Sequence, residues 1–236
     1  MPETVGRVAE LWRYPVKSMR GETLDRIQCN LRGFDGDRRW AVRAADGKLG
    51  SGKSSRRFHS MRGLLSMAAS LDAAGATWIR FPEGAALRAE DPAAARRVAQ
   101  VVGEPAELVE EAEVPHFDQA PLHLLSTSSL AWLSDLRPGD AVDRRRFRPN
   151  LVLATDGPAR VEESWRGREL EIGEVRLRVE DPTSRCVMIT LGQDELPFAP
   201  GLLRELEEQT GLRMGVYGRV LREGVLQVGD DVTLDP

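Results

Sequence analysis

Cysteine is almost absent: Cys29 and Cys186 are the only two in a chain of 236 residues. Two thiols cannot build a disulfide framework or an all-thiolate zinc cage, and an iron–sulfur cluster usually needs four. Histidine is equally scarce, with His59, His116 and His123 scattered along the chain. His116 and His123 are seven apart, but Pro115 and Pro121 disturb any helix that would align them. A zinc site assembled from these residues is not expected. No apolar run is long enough to span a bilayer, and the first residues do not read as a signal peptide. Charge of one sign is also missing, since 33 basic and 37 acidic side chains leave a net charge of −4. That balance gives no general attraction to nucleic acid or to an anionic membrane. The expectation is a soluble, cytoplasmic, monomeric protein that binds neither.

Short strands separated by Gly, Pro and Asp turns dominate the remaining pattern. Val175–Glu180 alternates strictly, so Val175, Leu177 and Val179 should face a core. Residues 77–81, Leu151–Ala154 and Val187–Thr190 are β-branched or aromatic runs that also read as strands. Three helices are predicted. Asp91-Pro92 caps one that Gly103 closes, Ser126-Thr127 caps a second running to about Leu136, and Leu202, Leu203 and Leu206 mark a third ending near Gly211. The fold class is therefore mostly β with some α, in two β-rich lobes divided into residues 1–95 and 96–236.

Gly47-Lys48-Leu49-Gly50-Ser51-Gly52-Lys53-Ser54 matches the nucleotide-binding P-loop expression letter for letter. That motif works only between a buried strand and a helix N-terminus. Here Arg39–Ala44 alternates with charge and runs into Asp46-Gly47, which reads as a hairpin turn. A P-loop nucleotide-binding protein remains the minor alternative.

The informative positive feature is Ser184-Arg185-Cys186. An adjacent guanidinium lowers the proton affinity of a thiol, and a thiolate is both nucleophile and soft metal ligand. A small buried hydrophobe is the bland alternative, and it is the default for Cys29. Four other segments carry polar groups misplaced for a core: residues 14–19 with Lys17 and Ser18, 36–40 with Arg38, 121–127 ending in Ser126 and Thr127, and 146–150 with Arg148 and Asn150.

In this order and spacing these segments, with Val228-Gly229-Asp230 near the end, resemble the MOSC family. They are closer still to its subgroup with an N-terminal β-barrel domain, which includes the mitochondrial amidoxime-reducing component. The resemblance spans nearly the whole chain and makes residues 96–236 the MOSC domain. It implies a pyranopterin molybdenum cofactor, with Cys186 as metal ligand and catalytic residue. By the same resemblance Lys17, Ser18, Arg38 and Arg148 contact phosphate and pterin. Ser126 and Thr127 offer hydroxyls and helix amides to the anion, and Asn150, Ser184, Arg185 and Tyr217 are further pterin-side contacts. A phosphate favours such Arg forks, a Lys charge and a helix N-terminus.

The implied activity is reduction of N-hydroxylated or N-oxygenated small molecules. With no cluster and no dinucleotide fingerprint in the chain, electrons would come from a separate iron–sulfur, flavin or haem carrier protein. The alternative is a sulfur or molybdenum-cofactor carrier in which Cys186 holds a persulfide without substrate turnover. Two of the arginines at 144–146 match nothing in the family and read as a solvated or partner-facing run.

Overall fold

A computed structural model describes residues 3–235. Seven strands close into a barrel: Glu3–Arg13, Asp231–Leu234, Glu169–Ile172, Val175–Ser184, Arg213–Arg222, Leu122–Ser126 and Leu151–Ala154, the last pairing back onto the first. All these pairings are antiparallel except that of Leu122–Ser126 with Leu151–Ala154. The closing strand is the first of the chain. A β-bulge between Val8 and Glu10 lets Glu3–Arg13 bend between its two neighbours.

The alternation predicted for Val175–Val179 is seen directly. Val175, Leu177 and Val179 are buried against Val8, Leu11, Leu124, Leu153 and Val216 inside the barrel. Each such side chain contributes about 1.5–3 kcal/mol by leaving water.

The segment between the first two barrel strands forms a second lobe. Its four-stranded sheet joins Ala106–Glu110, Trp40–Ala44, Leu49–Ser51 and Phe58–Ser60, and a three-stranded meander covers Ala68–Arg88. The helix Pro92–Val102 begins with the Asp91 carboxylate accepting from the Ala93 amide and ends on Gly103 at φ 80°. It buries Ala94 and Val98, and Val98 joins this lobe's core beside Val42, Ile79 and Phe81. A division at residue 95 falls inside this helix, and Ala106–Glu110 pairs with Trp40–Ala44. We place the lobe boundary after Glu110.

The P-loop lookalike is a hairpin followed by more sheet. The Gly47 amide donates to the Ala44 carbonyl at 2.9 Å, Arg43 faces Leu49, and Leu49–Ser51 leads to Phe58–Ser60 rather than to a helix.

One element differs in kind from its sequence pattern. Val187–Thr190 is a 3-10 turn that starts at Cys186, not a strand. The Thr190 hydroxyl donates to the Val187 carbonyl at 2.8 Å, and Arg146 binds the carbonyls of Ile189 and Leu191 at 3.3 and 3.2 Å. These bonds satisfy the turn and override the strand preference of a β-branched run.

Candidate functional site

A groove between the lobes is lined by Lys17, Ser18, Arg38, Arg148, Ser184 and Cys186, which come from four separate segments. Asn150, Arg185 and Tyr217 also reach it. Six cations line it, Lys17, Arg38, Lys53, Arg146, Arg148 and Arg185, against one carboxylate, that of Asp118.

Backbone pairing builds the N-terminal wall. The Lys17 amide donates to the Trp40 carbonyl, the Arg38 amide to that of Tyr14, and the Trp40 amide to that of Pro15, all within 3.0 Å. Ser18, Arg38 and Arg148 each hold a positive φ, of 65°, 51° and 55°. A non-glycine residue pays about 1–3 kcal/mol for such a conformation, which clusters where a site must be pre-shaped. Three of these residues meeting in one groove is a mark of a built site.

The cations differ in what holds them. Lys17 is buried, its ammonium on the Asp118 carboxylate and 4.5 Å from the Phe58 ring centroid. Burial pushes its pKa down to about 8, although the charge of Asp118 opposes the shift. Arg38 binds Asp37 and donates to the side-chain Oδ1 of Asn150 at 3.2 Å. Burial works against its charge, but Asp37 prevails and holds the pKa above its ordinary value. Among the described residues Arg148 has no carboxylate partner and donates one bond, to the Met19 carbonyl at 2.7 Å, and burial lowers its pKa to about 10. Its Nη2 is buried without a partner among the described residues, as is Thr183 Oγ1 on the same groove.

Arg185 is committed to the protein itself. It donates to the carbonyls of Phe147 at 2.9 Å and Met214 at 2.8 Å, and to Nε2 of His123. That bond requires Nε2 to be unprotonated, and burial together with the charge of Arg185 keeps His123 well below its usual pKa. Gly215, at φ 74°, permits the approach, since a Cβ there would lie 2.5 Å from His123 Nε2. Asn150 is likewise largely engaged: its side-chain oxygen accepts from Arg38 and the His123 amide, and one N–H of its side-chain amide donates to the Trp12 carbonyl. Both residues chiefly brace the wall of the groove. Tyr217 packs edge-on to His123, and Cys186 stands half-buried.

Ser126 and Thr127 do not line this groove. Ser126 is fully buried; its hydroxyl accepts from the Ser129 amide as helix cap and donates to the buried carboxylate of Glu162. Ser129 adds a second hydroxyl to Glu162 at 2.6 Å, and Thr127 Oγ1 accepts from the Thr155 amide at 3.2 Å. The cap predicted from Ser126-Thr127 is present, but an internal acid already occupies its hydroxyl.

Two lining residues escaped sequence reading. Arg146, set in what read as a solvated run, is 1% exposed. Its fork binds the carbonyls of Ala141, Ile189, Leu191 and Pro197 and so holds the turn after Cys186. Asp118 had no signal beyond being an acid in a Pro-bounded loop. Ser51 and Lys53 also line the groove, and the Gly52 amide donates to Sδ of Met188 at 3.1 Å.

Two family descriptions tile the chain: a MOSC N-terminal beta barrel domain over residues 5–113 and a MOSC domain over residues 111–233. The chain belongs to the MOSC family. Its MOSC match begins just after Glu110, where the second lobe ends. Among relatives, mitochondrial amidoxime reducing component 2 of Bos taurus is 27% identical over 98% of this chain and 83% of that protein. The human mitochondrial amidoxime-reducing component 1 is 27% identical over 81% of this chain and 68% of its own length. Molybdenum cofactor sulfurase 2 of Culex quinquefasciatus is 32% identical over 44% of this MOSC chain, a match covering only 15% of the sulfurase. The YuaD protein of Bacillus subtilis shares the fold, with a TM-score of 0.56 at 13% identity over 99% of this chain and 98% of that one. No helix among the described residues of this MOSC protein is long and apolar enough to cross a membrane.

Proposed function

We propose that this MOSC protein binds a pyranopterin molybdenum cofactor in the groove and reduces N-hydroxylated or N-oxygenated compounds with electrons from a separate donor protein. The observation that carries this reading is the surplus of buried cations around Cys186, above all Arg148 with a buried guanidinium nitrogen that no described residue satisfies. A buried charge without a partner costs several kcal/mol, and an anionic ligand such as the cofactor's phosphate supplies one. The donor set therefore fits the group: Lys17, Arg38 and Arg148 for the anion, Ser18, Ser184 and Tyr217 for polar pterin edges, and the soft Cys186 sulfur for the metal. Asn150 and Arg185 act through the walls they brace. When bound, the cofactor supplies a two-electron redox centre at Cys186.

The remaining work falls to the chain. The overall reaction breaks the N–O bond of an N-hydroxylated substrate, consumes two electrons and two protons, and releases the reduced nitrogen compound and water. The electrons come from the donor protein. Arg146 keeps the Cys186 turn in place, and the strap carrying Ser51 and Lys53 narrows access beside Met188.

The test is metal and pterin analysis of protein freshly purified from a host that makes the cofactor, followed by assay of amidoxime reduction with an artificial reductant. Stoichiometric molybdenum with turnover is expected. Protein free of molybdenum from such a host overturns the cofactor assignment. The likeness to the sulfurases favours a second reading, a sulfur or cofactor carrier; bound cofactor or sulfane sulfur on Cys186 without turnover would select it.

A further inference from the structure

Asp118 and Asp37 are both carboxylates beside the cationic groove, but they are held very differently. Asp37 is a fixed part of the wall. It is 2% exposed, one oxygen accepts from the Tyr14 amide at 2.8 Å, and the other binds Arg38. Among the described residues Asp118 has no backbone donor, and its two oxygens bind only ammonium groups, that of Lys17 and that of Lys53 at 3.4 Å. Its side chain is 43% exposed, whereas that of Lys17 is 5% exposed. Lys17 therefore cannot turn to water, while Asp118 can.

The backbone around Asp118 has no regular secondary structure between Glu110 and Leu122. Arg57 nevertheless pins it, donating to the carbonyls of Asp118 and Pro115, both at 3.1 Å. The main chain is thus anchored while the carboxylate alone is free to leave. The charges of Lys17, Lys53 and Arg38 outweigh burial and hold its pKa at about 2, so it stays ionised at any working pH.

We propose that Asp118 is a competing counter-ion: its carboxylate and the anionic group of a ligand exclude each other from Lys17 and Lys53, so Asp118 sets how tightly the groove holds an anion. The proposal rests on the reading of this groove as an anion site. Asp118 does not serve as a contact to the ligand's anion; it weakens binding and favours release.

The experiment is calorimetric titration of the cofactor-free chain with inorganic pyrophosphate, a probe with two linked anionic groups, at low ionic strength. Wild type, Asp118→Asn, Asp118→Ala, Lys17→Met and the double variant Lys17→Met/Asp118→Asn are compared. Both Asp118 variants should bind pyrophosphate roughly tenfold more tightly than wild type, the scale of one charge-assisted hydrogen bond. Lys17→Met should bind less tightly, and in the double variant the gain from Asp118→Asn should shrink. Equal or weaker binding in both Asp118 variants, with unchanged thermal unfolding, overturns the proposal, because Asp118 would then support the site. The readout uses neither molybdenum nor turnover. Tighter pyrophosphate binding by a protein that never acquires molybdenum would keep this inference and reject the cofactor.

Discussion

The guanidinium of Arg148 lies 4.2 Å from the centroid of the Tyr14 ring, and Arg38 approaches the same ring at 5.2 Å. One aromatic ring thus contacts two groove cations, one from each lobe. The Tyr14 hydroxyl is buried with no partner among the described residues. Burial raises its pKa, against the pull of Arg148 and Arg38, so it stays a neutral phenol.

This predicts opposite results from two substitutions at one position. Tyr14→Phe should leave stability unchanged or raise it by about 1 kcal/mol, because it removes an unsatisfied hydroxyl and keeps the ring. Tyr14→Ala should cost about 3–5 kcal/mol and weaken anion binding by the groove. Urea unfolding with pyrophosphate titration of both variants checks this; a Phe variant as damaged as the Ala variant would give the hydroxyl a partner.

The two cysteines should separate cleanly. Cys186→Ala is expected to abolish amidoxime reduction yet retain much of the pterin, since the cations that hold it come from other segments. Cys29 is buried in the barrel core, and burial pushes its thiol up to about 12. Cys29→Ala should therefore cost about 1–2 kcal/mol of stability and nothing in turnover. Molybdenum content and rate, measured for both, decide the point.

The pH dependence of the groove follows from Lys17. Its folded pKa of about 8 lies below its unfolded value of ~10.4. Between those values the unfolded chain binds more protons, so this residue makes stability rise with pH from about 8 to about 10. Anion binding should move the other way, weakening above pH 8 as Lys17 discharges. Lys17→Arg should remove that weakening, and pyrophosphate affinities of the two proteins compared from pH 7 to pH 9 test it.

Three consecutive arginines should behave unlike one another. Arg144 pairs with Glu10 and Arg145 with Asp143 and Glu195, in partly exposed ion pairs worth at most about 1 kcal/mol each. Arg146→Ala instead strips four carbonyls of their donor and should cost more than about 4 kcal/mol, at about 1–3 kcal/mol per buried group left unpaired. Equal denaturation midpoints for the three Ala variants would contradict the buried fork.

Local chemistry in the sequence carries much of this fold. The caps at Asp91 and Ser126, the stop at Gly103 and the alternation of Val175–Val179 depend on neighbours within a few residues. Long-range partners are where sequence reading stops. Nothing near Ser126 in the chain points to Glu162, 36 residues on, as the acceptor of its hydroxyl. Nothing in Arg144–Arg146 distinguishes the middle of the protein from its surface, because the carbonyls that bury Arg146 belong mostly to residues 189–197. The strand preference of Val187–Thr190 lost for the same reason. At the candidate site, residue types and order point to an anion and a soft metal, but only the fold separates Arg148, with a nitrogen left without a partner among the described residues, from Arg185, both of whose terminal nitrogens are engaged.

The place of Glu3–Arg13 bears on any attempt to make the MOSC domain alone. A fragment starting near residue 111 would lack the strand that joins Leu151–Ala154 to Asp231–Leu234. Both would become open edges, rich in Leu and Val and ready to pair with other copies. Such a fragment should aggregate when expressed by itself. Supplying residues 3–13 as a separate peptide, or grafting them through a short linker beyond Asp235, should return it to solution.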